Sequence, residues 1–305
     1  MTNKKEFNML LVFVVCCIST IHSTCVKEGY LLHCFNVTNE KEFSKGLERN
    51  RDPDLVEFAL TDSELRYISH DAFHGTNFTA VYLWNISLLS LSDTDIAFEG
   101  LEDTLKTFIV HECSFVGHWN WDSIRNFRAL ELIDVADTDM EYVSDFPNFS
   151  RGKNHLISIR NSSVVELSPT AFSQVEDLVI LLLALNNIED VERSMFPKPA
   201  LNLTVLGLSN NTIKSLPVDI FTDMPALKEV KLDGNKIHTI EKNVFVPVRN
   251  HINLVRLLGN DLNCDCRLKW IIEDDMRTKL LANCKYPPDL EGREVSTLDY
   301  GDLWC

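Results

Sequence analysis

Apolar residues recur at one fixed spacing along most of this 305-residue chain, and that spacing restricts the possible folds more than any other feature. The pattern is Leu-x-x-Leu-x-Leu-x-x-Asn-x-Leu-x-x-Leu, usually with Phe five residues further on. Three consecutive copies, which begin at Leu178, Leu203 and Leu227, fill every position. Looser copies and a truncated ninth copy extend the pattern in both directions; they begin at Leu55, Phe78, Leu105, Leu130, Asn154 and Ile252.

Successive copies begin 23 to 27 residues apart, which is the range of leucine-rich repeats. The Leu-x-Leu segment of each copy predicts a short strand whose side chains alternate between core and solvent. No single copy can bury its own apolar face, so the copies must stack into a continuous core. The predicted fold is an α/β solenoid, a leucine-rich-repeat horseshoe of about nine repeats with a parallel concave sheet and disulfide-bonded terminal caps.

The N-terminus predicts export from the cell. Lys4 and Lys5 precede an unbroken apolar run at residues 9–18, and small residues follow up to position 24. This order is typical of a secretory signal peptide cleaved just before Cys25, and the run is too short for an ordinary transmembrane helix. A membrane anchor or a buried helix is the alternative. No later segment resembles a membrane span, so we expect a secreted, extracellular protein.

Glycosylation motifs agree with that compartment. Seven Asn-X-Ser/Thr motifs occur where composition alone predicts roughly three, and they lie at Asn36, Asn77, Asn85, Asn148, Asn161, Asn202 and Asn210. Asn85, Asn161 and Asn210 each stand one residue before the Asn position of the repeat. We therefore expect these three to line one edge of the sheet, so that a partner approaches elsewhere.

The nine cysteines divide by region. Cys16 and Cys17 lie in the signal peptide, Cys25 and Cys34 flank the start of the mature chain, and four crowd its end: Cys264, Cys266, Cys284 and Cys305. In an oxidising compartment these should form disulfides, and four cysteines permit three pairings. A zinc site is the competing interpretation of the last four, and the signal peptide argues against it.

The C-terminal segment resembles the cysteine-rich cap of extracellular leucine-rich-repeat proteins. The matching stretch is residues 263–270 (NCDCRLKW), followed by Cys284, Pro287, Pro288 and Cys305. The resemblance implies that Cys264 pairs with Cys284 and Cys266 with Cys305. Cys25 and Cys34 then make a small N-terminal staple, although the family's N-terminal cap often carries four cysteines. The predicted domains are a signal peptide (1–24), an N-terminal cap (25–54), the repeats (55–262) and the C-terminal cap (263–305).

Cys113 is the one cysteine without an expected partner. Counted from Leu105, it occupies the position that Asn186, Asn211 and Asn235 hold in the regular copies. Asn and Cys both occur there in leucine-rich repeats, so we expect a buried structural thiol. The neighbouring His111 resembles a metal ligand, but the register places it on the opposite face of its strand from Cys113.

No catalytic motif stands apart from the repeat. The chain has no glycine-rich phosphate loop and no His-Glu-x-x-His, and its Ser, His and Asp residues lack a nucleophile-elbow setting. We therefore expect no enzyme activity, no cofactor and no metal. The formal net charge of −16 also disfavours nucleic acid and anionic membranes as partners, because both are polyanions.

The register predicts which side chains face the concave sheet. Aromatic and aliphatic residues recur among them, and such residues are enriched at binding hot spots and in exposed apolar patches. The candidate partner-binding residues are Tyr82, Trp84, Ile109, Leu132, Leu156, Ile180 and Leu182.

The overall layout resembles soluble arthropod leucine-rich-repeat proteins of the type named after the non-catalytic subunit of the secreted shrimp luciferase. The loose copy from Leu105 to Leu130, with Trp119 and Trp121, followed by cleaner copies, carries that resemblance. It implies a glycoprotein that accompanies another secreted protein. The alternative is the ectodomain of a cell-surface adhesion or innate-immune receptor of the Toll or Slit kind, which normally continues past the cap. The oligomeric state is left open.

Overall fold

The computed structural model describes residues 24–116, 119–149 and 155–305. Residues 1–23, which carry nearly all of the predicted signal peptide, and Asn154, the start of the fifth copy, lie outside the described residues. No helix in the described ranges is long and apolar enough to cross a bilayer.

Twelve strands in sequential order form one sheet, and a short strand extends it beside β4. Two further short strands, β8 and β10, pair with each other. In chain order the strands are β1 (Thr24–Glu28), β2 (Leu31–Phe35), β3 (Glu57–Leu65), β4 (Ala80–Leu88), β5 (Thr107–His111), β6 (Ser114–Phe115), β7 (Leu132–Ala136), β8 (Tyr142–Val143), β9 (His155–Arg160), β10 (Glu166–Leu167), β11 (Leu178–Leu182), β12 (Val205–Gly207), β13 (Glu229–Lys231), β14 (Leu254–Arg256) and β15 (Leu280–Leu281).

The strands from β2 to β15 along the sheet pair in parallel, and the core leucines align across them. Leu181 pairs with Leu206, Leu206 with Val230 and Val230 with Val255. All four side chains are buried, because alternate residues of a strand point to opposite faces. Each strand therefore contributes the same row to one core that runs the length of the molecule, as the repeat predicted.

Turns, short 3-10 helices and three α-helices connect the strands on the other side of the core. The helices are α1 (Glu40–Arg49), α2 (Lys242–Phe245) and α3 (Lys269–Glu273). Buried phenylalanines of successive repeats pack there: the Phe73 and Phe98 ring centroids are 5.2 Å apart, and those of Phe221 and Phe245 are 5.5 Å apart. The Phe position of the repeat thus fills the back of the core.

Both ends of the sheet reach beyond the predicted repeats. At the N-terminus, β1 and β2 form an antiparallel hairpin, and β2 then pairs in parallel with β3. At the C-terminus, β15 pairs in parallel with β14. The terminal segments therefore cover the end repeats by adding strands as well as by supplying disulfides, which shields apolar edges that a repeat stack would otherwise expose.

Candidate functional site

The concave face is the side of this sheet that points away from the core. Its side chains form columns because the strands are in register. One column runs through Tyr82, Ile109 and Asp134, which pair directly across β4, β5 and β7. A second runs through Leu132, Leu156, Ile180 and Val205 on β7, β9, β11 and β12. The seven candidate partner-binding residues all lie on this face and are all half-buried: Tyr82, Trp84, Ile109, Leu132, Leu156, Ile180 and Leu182.

The structure brings these seven residues into one continuous surface, which we call the apolar band. Ile109 lies on the strand between Tyr82 and the second column, so it links the aromatic end to the aliphatic end. Leu182 leans over Gly207 of the next strand, where a Cβ atom would lie only 2.8 Å from the Leu182 Cδ2 atom. Gly207 is therefore the small residue that lets Leu182 lie flat on the sheet.

A polar network borders the apolar band near its centre. Asp134 Oδ2 lies 3.1 Å from His111 Nε2 and 3.1 Å from an Arg160 nitrogen, and Arg160 Nε donates to Ser158 Oγ at 2.9 Å. Trp84 packs edge-on against His111 with ring centroids 5.3 Å apart. The register placed these residues on neighbouring strands, but the sequence did not reveal that they bond to one another.

Asp134 is held as a carboxylate by that network. Burial raises its pKa, but hydrogen bonds from His111 and Ser158, together with the charge of Arg160, outweigh burial and hold the pKa below its usual value. The Asp134 charge is thus compensated within the concave face. The C-terminal half of the face is likewise paired, with Arg256 Nε 2.7 Å from Asp233 Oδ2.

Cys113 lies where the repeat register predicts, in the core beneath β5. It is buried, and its thiol donates to the carbonyl oxygens of His111 at 3.1 Å and Leu83 at 3.5 Å. Burial raises the pKa of Cys113 to about 12, so the thiolate is strongly disfavoured. His111 stands on the concave face, and the described ranges contain no group of three or more His, Cys, Asp or Glu side chains arranged to hold a metal.

One backbone position in every repeat adopts the left-handed conformation, and we call these residues the left-handed column. They stand immediately before the Asn position, where the strand ends and the chain turns. In chain order they are Asn36, Asp62, Asn85, Glu112, Asp137, Asn161, Leu185, Asn210, Gly234 and Gly259. Asn, Asp and Gly tolerate positive φ at the least cost, which explains the composition of the column.

Four predicted glycosylation motifs fall in the left-handed column. The structure adds Asn36 to the three that the repeat register had aligned, because β2 continues the sheet beyond the first predicted copy. Asn85 Nδ2 donates to Asp62 Oδ1 at 2.7 Å, and Asn161 makes the equivalent bond to Asp137. All seven motif asparagines are exposed, and none lies in the columns of the concave face; the other three are Asn77, Asn148 and Asn202.

Three disulfides form among the described residues. Cys25 bonds to Cys34 across the antiparallel hairpin. Cys264 bonds to Cys284 and Cys266 to Cys305 in the C-terminal segment. These are the pairs that the resemblance to extracellular caps implied.

Comparison with known proteins agrees with this architecture. The leucine rich repeat family profile matches residues 202–257. The chain is a leucine-rich-repeat protein with disulfide-bonded cysteines near both ends. A homologue is the non-catalytic subunit of Oplophorus-luciferin 2-monooxygenase from Oplophorus gracilirostris, which is 23% identical over 316 residues, or 90% of this chain and 83% of that protein.

Receptor-type proteins are also similar. Toll-like receptor 9 of Mus musculus is 28% identical over 244 residues, which cover 74% of this chain but only 23% of the receptor. Two solved structures share the fold. Human 5T4 (Wnt-activated inhibitory factor 1, trophoblast glycoprotein) has a TM-score of 0.50 at 19% identity and covers 94% of this chain and 100% of that one. A chain from a complex of Latrophilin 3, Unc5D and the leucine-rich repeats of FLRT2 has a TM-score of 0.58 at 16% identity and covers 90% and 97%.

Proposed function

We propose that this chain is a secreted, non-enzymatic glycoprotein that binds another extracellular protein through its concave face. The observation that carries the proposal is the apolar band, which is contiguous, half-exposed and free of glycosylation motifs. Apolar patches of this kind on a soluble protein mark interaction surfaces. The disulfides and exposed motifs support an extracellular setting, and the match to a non-catalytic subunit supports a role without chemistry of its own.

Repeat six extends the apolar surface beyond the seven residues of the apolar band. The solvent-facing residues of this repeat between positions 180 and 185 are all apolar: Ile180, Leu182, Ala184 and Leu185. Leu185 is 52% exposed and holds φ at 60°, where nine of the ten residues of the left-handed column are Asn, Asp, Glu or Gly. Packing does not account for a large apolar residue at that place, so a contact with a partner is the function we assign to it.

In the first step of the test, the secreted protein is purified under native conditions. Mass spectrometry then identifies the proteins that co-purify with it. The identified partner is then titrated against purified wild type, a Leu182→Lys variant and a Val218→Lys control. Val218 is 57% exposed and lies off the concave face, so its substitution adds the same charge elsewhere. We expect Leu182→Lys to weaken binding at least tenfold and Val218→Lys to leave it within twofold. Purification of a monomer with no co-purifying partner contradicts the proposal. Equal affinities of the partner for Leu182→Lys and Val218→Lys also contradict it.

The second candidate function is the ectodomain of a receptor of the Toll or Slit kind. The similarity to Toll-like receptor 9 favours it, although that match spans only 23% of the receptor. A longer transcript that encodes a membrane span downstream of Cys305 supports the receptor; secretion of the product from its native cells supports the soluble protein.

A further inference from the structure

Glu57 and Tyr82 are diagonal neighbours at the N-terminal end of the concave face. Glu57 on β3 pairs with Ala80 on β4, and Tyr82 lies two residues further along β4 on the same face. Diagonal neighbours of this kind are within reach of a long side chain and an aromatic ring. Ala80 is the cross-strand neighbour of Glu57, and Ala59 is that of Tyr82. Both alanines are buried, so only small side chains lie between the carboxylate and the ring.

Glu57 differs from three other acidic side chains of the concave face, Asp134, Glu229 and Asp233, because it has no basic partner among the described residues. Asp134 pairs with Arg160, Asp233 pairs with Arg256, and Glu229 lies 3.8 Å from the Lys231 ammonium. Burial alone raises the pKa of Glu57, with no compensating contribution from a basic side chain. These three charges are compensated by basic side chains of the same face, whereas the Glu57 charge is not.

Tyr82 contributes a second unmatched polar group at the same place. Its hydroxyl oxygen is shielded from solvent and has no hydrogen-bond partner among the residues that the structure describes. Burial, and then the nearby Glu57 charge, raise its pKa to about 12, so the phenol stays protonated. Buried polar groups in proteins are normally hydrogen-bonded, and one without a partner is costly to fold.

We propose that Glu57 and Tyr82 form a subsite for a basic side chain, lysine or arginine, of the protein partner. When the two side chains rearrange on binding, the Glu57 carboxylate and the Tyr82 phenol oxygen can both accept hydrogen bonds from N–H groups. The aromatic ring of Tyr82 presents its face to the cation. The charge of a basic side chain neutralises the Glu57 carboxylate. This inference rests on the proposed function and adds to it a partner whose basic residue docks beside the apolar band.

Small probes test the subsite without the partner. The protein is labelled with 3-fluorotyrosine, and the resonance of Tyr82 among the six tyrosines is assigned through Tyr82→Phe. N-acetyl-lysine methylamide and N-acetyl-arginine methylamide are titrated, with N-acetyl-norleucine methylamide as the uncharged probe. We expect a saturable shift of the Tyr82 signal for at least one cationic probe, with a Kd on the order of millimolar, and none for norleucine.

The matched pair of variants is Glu57→Gln and Glu229→Gln. Both glutamates occupy the same column of the concave face, and each substitution removes one negative charge, so attraction to the whole acidic surface changes equally. We expect Glu57→Gln to weaken probe binding at least tenfold and Glu229→Gln to change it less than twofold. The other tyrosine signals report whether each variant is folded, and Glu57→Ala replaces Glu57→Gln if they move.

No saturable shift in wild type, an equal response to norleucine, or equal effects of the two glutamine variants overturns the subsite. Any of these results leaves the proposed concave-face binding intact, because no partner is present. Conversely, unchanged partner binding in Leu182→Lys contradicts the proposed function and says nothing about the probes. The two proposals therefore fail separately.

Discussion

A single backbone conformation recurs at the residue before each Asn position, and it selects the side chain there. An L-residue with a Cβ is disfavoured at positive φ by roughly 1–2 kcal/mol, and Gly, Asn and Asp suffer least. Nine of the ten residues in the left-handed column are Asn, Asp, Glu or Gly, and the tenth is Leu185. Because Leu185 is 52% exposed, its backbone strain can be relieved by substitution without disturbing the packing of its repeat.

We expect Leu185→Asn to stabilise the protein by about 1 kcal/mol, because Asn relieves the strain and Leu185 buries little. Urea denaturation measures this change in the free energy of unfolding. A higher midpoint urea concentration with an unchanged m-value indicates a more stable protein. Leu201→Asn is the control, since Leu201 is 57% exposed and lacks positive φ. Neither substitution creates a glycosylation motif. A loss of stability in Leu185→Asn larger than that of the control contradicts the strain argument.

At the scale of the repeat element, one polar position ties each copy to its neighbours. Asn211 is buried; its Nδ2 donates to Leu183 O at 2.9 Å and Leu208 O at 3.0 Å, and its Oδ1 accepts from Ile188 N at 3.0 Å. In looser copies Ser and Thr do part of this work, as where Thr138 Oγ1 accepts from Cys113 N at 3.3 Å. Cys113 belongs to the same series, which is why it is a structural thiol.

Asn211→Ala removes the side-chain donor and acceptor of these bonds and leaves their buried backbone partners unpaired. We expect it to destabilise the protein by about 3 kcal/mol, since each such group costs about 1–3 kcal/mol. The measurement is again urea denaturation, with Ser209→Ala on the half-exposed concave face as control. The motif at Asn210 survives the change, because Thr212 remains. Equal losses of stability in the two variants would show that the hydrogen bonds of Asn211 contribute nothing specific.

At the scale of the whole molecule, the predicted glycans lie beside the sheet and leave its concave face open. Asn36, Asn85, Asn161 and Asn210 share the left-handed column and are exposed, whereas none of the seven residues of the apolar band belongs to a motif as its asparagine. A partner that docks on the sheet is then bordered by sugar along one edge.

We expect glycopeptide mapping of the secreted protein to find glycans at sites of the left-handed column. Enzymatic deglycosylation in heavy-oxygen water marks each occupied asparagine by its conversion to aspartate. The unglycosylated Asn211, which directly follows a motif asparagine, is the internal control for spontaneous deamidation. Four unmodified sites in the column would remove the sugar-lined edge.

Much of this arrangement was predictable from particular residues. The leucines of the three regular copies predicted the strands, the core and the parallel sheet, and the Asn position predicted the place of Cys113. The columns of the concave face followed from the same spacing. The network of His111, Asp134 and Arg160 did not, because bonds between long side chains depend on rotamers that no repeat period specifies.

The repeat, the pattern of buried and exposed positions and the class of protein follow from the order of amino acids alone, because repeats of 23 to 27 residues bury their leucines by stacking. Three features became visible only in the folded chain: β2 and β15 extend the sheet, Asn36 joins the left-handed column, and Glu57 has no basic partner among the described residues. Those outcomes come from contacts between residues far apart in the chain, where pairing and charge balance are settled by which strands become neighbours.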